Sequence, residues 1–191
     1  MRSSPVGWVI AALLVAGCTT SPRDLEREVG LDTAGTAWVV TSAVCVISPT
    51  AGHQAHGVVT FEREADEIVR VVAEVSGLSP GSKHGFHIHE FGDLIAADAS
   101  GAGSHYAPID AQRHGAPEHA HKHAGDLGNL VADERGVAHL ELSVHGFSLT
   151  EENPVLGRAI IVHAQADDQK TQPTGNSGAR IGAGVIGIAR P

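Results

Sequence analysis

His87 and His89 flank Ile88 in the run Gly85-Phe86-His87-Ile88-His89-Glu90. In an extended strand alternate side chains share a face, so the two imidazoles stand side by side while Phe86 and Ile88 point the other way, towards a core. Alone, His-x-His reads as a solvated strand; it becomes half of a metal site only if the chain supplies the other half. Further on come His105, His114, His123 and Asp126, at spacings of nine, nine and three, and then His163 at the end of the apolar run Arg158-Ala159-Ile160-Ile161-Val162. Neutral imidazole suits copper and zinc, and a carboxylate is an acceptable zinc ligand. Three histidines and one aspartate make a closed tetrahedral set of the kind a structural zinc takes.

The elements that must hold these groups read as strands. Stretches that read as strands occur at 38–47, which is rich in β-branched residues, and at 56–62, 68–75, 84–93, 128–132, 136–143, 157–164 and 179–188. The charged turn 63–67 makes a hairpin of the second and third. Residues 94–127 carry no strand or helix period, and 167–178 are a second irregular stretch. A loop as long as the first inside a compact domain is usually functional. Eight short strands with two long functional loops predict an all-β fold, an antiparallel barrel or sandwich.

Composition bounds the reading. The chain of 191 residues fits one domain plus an appendage. A formal charge of −9 with no basic run excludes nucleic acid as a partner. Two cysteines, Cys18 and Cys45, exclude a cysteine-based zinc site or a disulfide-dense scaffold. Residues 1–18 read as a signal peptide: Arg2, then the apolar run 6–17, too short to span a bilayer. Leu14-Val15-Ala16-Gly17-Cys18 resembles a bacterial lipobox, which implies export and attachment to a membrane through lipid on Cys18. The expected destination is the periplasm or cell envelope, with Thr19 favouring the outer membrane where there is one. Residues 19–36 are polar and read as a flexible tether, leaving 37–191 as the folded domain.

Over residues 38–191 the chain resembles the copper/zinc superoxide dismutase family. The runs that carry the resemblance are 85–93, His105-Tyr106-Ala107-Pro108, Lys122-His123-Ala124-Gly125-Asp126-Leu127-Gly128-Asn129, Ile160-Ile161-Val162-His163 and Gly175-Asn176-Ser177-Gly178-Ala179-Arg180 with 184–188. The resemblance implies a Greek-key β-barrel and dismutation of superoxide to oxygen and hydrogen peroxide. It implies copper held by His87, His89, His105 and His163, and zinc held by His105, His114, His123 and Asp126, with His105 bridging the two. Asp167 matches an aspartate that orients His87 and His114, and Arg180 an arginine that attracts the anionic substrate. Lys170 is a further candidate for steering. The alternative is an exported metal-binding module of the same fold that stores or delivers copper and zinc without turnover.

Two features depart from the family. Its loop disulfide is missing, because Ala99 and Ala183 stand at the two cysteine positions; the expected consequences are a less rigid loop beside Arg180 and a weaker homodimer. Pro173 stands where some members have lysine. Of 13 histidines, six are ligands by this assignment. His84 is expected to be structural, His119 and His121 to be solvated or to capture metal, and His53, His56, His139 and His145 to lie on the surface.

Overall fold

The computed structural model describes residues 29–31, 37–65, 68–109 and 113–190. The expected signal peptide, Cys18 and most of the expected tether lie outside them. Among the described residues there are ten strands: β1 (Val29–Leu31), β2 (Ala37–Val39), β3 (Ser42–Pro49), β4 (His56–Ala65), β5 (Ile68–Ser76), β6 (Lys83–His89), β7 (Asp126–Val131), β8 (Ala138–Val144), β9 (Ala159–His163) and β10 (Arg180–Ile188). β1 pairs with β2, so part of the stretch expected as a tether is strand. The single strand expected over 38–47 is divided at Val40 and Thr41 into β2, which pairs with β1, and β3, which joins the main sheet.

β3 to β10 form one eight-stranded antiparallel sheet in the order β7-β6-β9-β10-β3-β4-β5-β8. Its ends meet where Ala132, just beyond β7, bridges to Ala138 of β8, so the sheet is a nearly closed barrel with Greek-key crossovers. Closure matters because an open sheet edge is a template for wrong pairing.

Alternation along the strands accounts for the core. In β5, Val69, Val71, Ala73 and Val75 point inward while the residues between them are exposed or half-buried. β3 does the same with Ala43, Cys45 and Ile47. Phe61, Val71 and Val75 have no exposed surface, and burying a side chain of this kind stabilises the fold by about 1.5–3 kcal/mol.

β6 and β9 break the alternation. Both are buried on both faces, β6 from His84 to His89 and β9 throughout. Phe86 and Ile88 enter the barrel core. The opposite face of β6 carries His87 and His89, each 1% exposed or less, beneath the two long connections. Those connections run from β6 to β7, with a 3-10 turn at Ser100–Ala102, and from β9 to β10. The barrel thus supplies two rigid strands and the loops supply a roof.

Candidate metal centre

The roof brings the expected ligands together in two sets. His87, His89, His105 and His163 each offer a ring nitrogen within 4.8 Å of the others. His105, His114, His123 and Asp126 form a second set within the same limit. All seven residues are buried, and His105 belongs to both sets. Backbone register explains part of this: β6 pairs with β9, and His89 bridges to His105 where the loop returns to the strand.

Hydrogen bonds decide which ring nitrogens are free to bind a cation. His87 donates from Nε2 to Asp167 Oδ2 at 2.9 Å, leaving Nδ1 buried and without a partner among the described residues. His89 donates from Nδ1 to the Gly103 carbonyl at 3.0 Å, and His163 from Nδ1 to the Gly178 carbonyl at 3.1 Å. Their Nε2 atoms then face each other at 3.3 Å with no proton between them. His105 Nε2 is likewise buried and unpartnered. Four lone pairs therefore converge on one volume, an arrangement that costs free energy unless a cation occupies it.

The second set has the same character. His114 donates from Nε2 to Asp167 Oδ1 at 2.7 Å, and its Nδ1 lies 3.1 Å from Asp126 Oδ1. His105 Nδ1 lies 2.8 Å from that oxygen, and His123 Nδ1 lies 3.4 Å from Oδ2. Asp126 Oδ2 also accepts the backbone N–H groups of Gly115 and His123, both at 3.1 Å, so the carboxylate is itself fixed in place. A fixed carboxylate facing three imidazole nitrogens fits a divalent cation.

Titration follows the same logic. Burial lowers His87 and His89, holds His105 at about 4 and holds His163 at about 3, so these rings stay neutral and ligand-ready at neutral pH. His114 is the opposite case. Burial works against its charge, but the hydrogen bonds to Asp126 and Asp167 outweigh that and lift it to about 9. Asp126 and Asp167, although burial opposes their ionisation, are held below the usual carboxylate range by those same histidines. Without a metal, a proton on His114 serves the two carboxylates that a cation would otherwise neutralise.

Asp167 ties the sets together by receiving one ring from each, and Asn129 holds Asp167 in turn. The Asp167 N–H donates to Asn129 Oδ1 at 2.7 Å, and Asn129 Nδ2 donates to the Asp167 carbonyl at 2.9 Å. Arg180 pairs with His163 across β10 and β9. Its guanidinium donates to the Ala99 carbonyl and, at 2.6 Å, to the Gly103 carbonyl. Together with His89, His163, Ser100, Thr174 and Ser177 it lines a cleft of about 440 Å³ that opens onto the first set. Lys170 is exposed and is not part of this lining.

The expectation of a loosened loop beside Arg180 meets a packed one. Ala99 and Ala183 belong to a small apolar cluster with Ala102, Ala159 and Ile161, all at most 6% exposed. The Ala97 carbonyl accepts the Ala51 N–H at 2.9 Å, and Thr50 donates to the Arg180 carbonyl at 2.7 Å. Small side chains and backbone bonds stand at the place of the family's disulfide.

The profile of copper/zinc superoxide dismutase (SODC) matches residues 55–186. The chain belongs to the copper/zinc superoxide dismutase family. The matched stretch contains all seven residues of the two donor sets, Asp167 and Arg180, and the dismutase fold of eight antiparallel strands is the one observed.

The remaining histidines of this dismutase-family chain sort by contact. His84 is buried, donating from Nδ1 to the His163 carbonyl at 2.7 Å, with Nε2 2.6 Å from Ser82 Oγ. His53, His56, His139 and His145 are exposed. His119 accepts the Ala116 N–H on Nδ1, which commits the ring to a turn, and His121 is exposed. Cys45 lies in the core with its thiol pushed up by burial to about 12, too inert for a ligand or nucleophile. Sequence reading missed Asn129 as a clamp, along with Gln172 and Gly175, whose contacts join positions far apart in the chain.

Proposed function

We propose that this protein is an active copper/zinc superoxide dismutase, with copper at His87, His89, His105 and His163 and zinc at His105, His114, His123 and Asp126. The observation that carries the reading is the pair of donor sets sharing His105, with buried lone pairs turned inward and Arg180 at the open side. Bound copper supplies the one-electron couple by which one superoxide is oxidised to oxygen and a second is reduced to peroxide.

The chain's own residues do the rest. Arg180 places a fixed positive charge in the cleft and orients the anion, offsetting locally a chain of net charge −9. The carbonyls of Ala99 and Gly103 hold its guanidinium in that position. Reduction to hydrogen peroxide consumes two protons from water; His105 Nε2, the buried lone pair facing the copper set, is placed to take up one of them and pass it to the reduced oxygen. Asp167 fixes His87 and His114 so that each presents Nδ1 to its own metal. The presence of Arg180 beside His163 favours turnover over storage or delivery, because a storage site has no need of an anion-orienting charge.

In the reconstituted protein, His163→Ala is expected to abolish copper retention and dismutase activity while zinc stays bound. Retained activity in that variant contradicts the assignment. We also propose export and anchoring through lipid on Cys18. Cys18→Ser should then abolish membrane association, and unchanged partitioning into the membrane fraction rejects the anchor.

A further inference from the structure

Gln172 lies in the connection between β9 and β10 and reaches the other loop at His114. The His114 N–H donates to Gln172 Oε1 at 2.9 Å, and Gln172 Nε2 donates to the His114 carbonyl at 2.9 Å. One planar amide thus takes both main-chain groups of one residue, as a hydrogen-bonded partner does in an antiparallel ladder. His114 belongs to no strand, so this side chain gives it the pairing a sheet would give. Gln172 Nε2 also lies 3.3 Å from the Lys170 carbonyl, which steadies the amide from its own loop. Gln172 is exposed, so its amide keeps these contacts in competition with water.

Two neighbours act on the same residue. Asp167 holds His114 by Nε2, as described. Gly175 adopts a left-handed φ of 64°, and a Cβ there would overlap both the Asp167 carboxylate and His114 Nε2. The second loop therefore grips His114 at its ring through Asp167, at its main chain through Gln172, and closes over both at Gly175. Holding Nε2 alone leaves the ring free to swing about that point; holding the main chain as well fixes the direction in which Nδ1 points, towards Asp126.

We propose that Gln172 is a positioning residue for the zinc set, clipping the main chain of His114 so that its Nδ1 is pre-aimed at the metal. This rests on the reading of His114 as a zinc ligand. A ligand held in place before binding loses less freedom on binding, and removing such outer supports typically lowers metal affinity 10- to 100-fold.

The test compares wild type with Gln172→Met, Gln172→Ala and His114→Ala. Each protein is stripped of metal and titrated with Zn²⁺ against a chromophoric chelator, and then with Co²⁺ to record its visible ligand-field bands. Met keeps the length and apolar stem of Gln and loses both hydrogen bonds. The clip predicts that Gln172→Met and Gln172→Ala each weaken Zn²⁺ binding by about 10- to 100-fold and shift the Co²⁺ bands. Wild-type affinity in Gln172→Met overturns it, because packing would then be the whole role. Weaker binding with unshifted bands also overturns it, since Gln172 would then support stability without aiming a ligand. If His114→Ala binds Zn²⁺ as tightly as wild type, it is the zinc assignment that fails.

Discussion

At the scale of single residues, burial keeps His87, His89, His105 and His163 neutral, while His114 and the carboxylates of Asp126 and Asp167 hold one another charged. That balance has a pH signature in the metal-free protein. His87, His89, His105 and His163 are lowered by burial from an ordinary value near 6.5, so the unfolded chain takes up protons that the folded chain refuses. Stability therefore falls as pH drops below about 6.5. Asp126 and Asp167 act in the same direction lower down, since their contribution is present above the usual carboxylate range and is lost as they protonate. His114, lifted to about 9, contributes stability that is fully present below about 6.5 and is lost only as pH rises towards 9. Thermal unfolding of the metal-free protein is thus expected at a lower midpoint at pH 5 than at pH 7. A midpoint that is equal or higher at pH 5 contradicts the assigned neutral histidines.

At the scale of elements, strands fix one half of the site and loops fix the other, and the two halves differed in how far the sequence revealed them. The parity of Phe86-His87-Ile88-His89 is local, so the faces of β6 could be read from a short stretch of chain, and both apolar residues do enter the core. The strands were legible because alternation in β3 and β5 is a period-two pattern with turns at its ends. The two donor sets were legible because their residue types match their chemistry and their spacing matches a known family. What remained hidden depends on contacts between distant positions. Gln172 reaching His114, Asn129 holding Asp167, and Gly175 yielding space to both leave no trace in local pattern. The alanines at 99 and 183 pointed to a weaker loop because a missing disulfide is visible in sequence. The compensating packing with Ala102, Ala159 and Ile161 is visible only in three dimensions. The pairing of β1 with β2 escaped notice because the surrounding stretch is polar and short of apolar alternation.

At the scale of the whole molecule, the barrel leaves an apolar row outside. Val185 of β10, Val46 of β3 and Val58 of β4 occupy adjacent strands in register and are 42%, 63% and 44% exposed. We propose that the chain forms a weak homodimer, for which this row offers apolar area to bury. Sedimentation should show a monomer–dimer equilibrium shifting over the micromolar range. A species that stays purely monomeric or purely dimeric across that range rejects it. The more central claim is that the two donor sets make a working redox enzyme with one copper and one zinc per chain. Copper content, zinc content and superoxide decay measured on one purified, reconstituted sample test it most directly. The predicted result is a dismutation rate that rises in proportion to copper occupancy and saturates at one copper per chain. Full copper and zinc occupancy with superoxide decaying no faster than in buffer would contradict it.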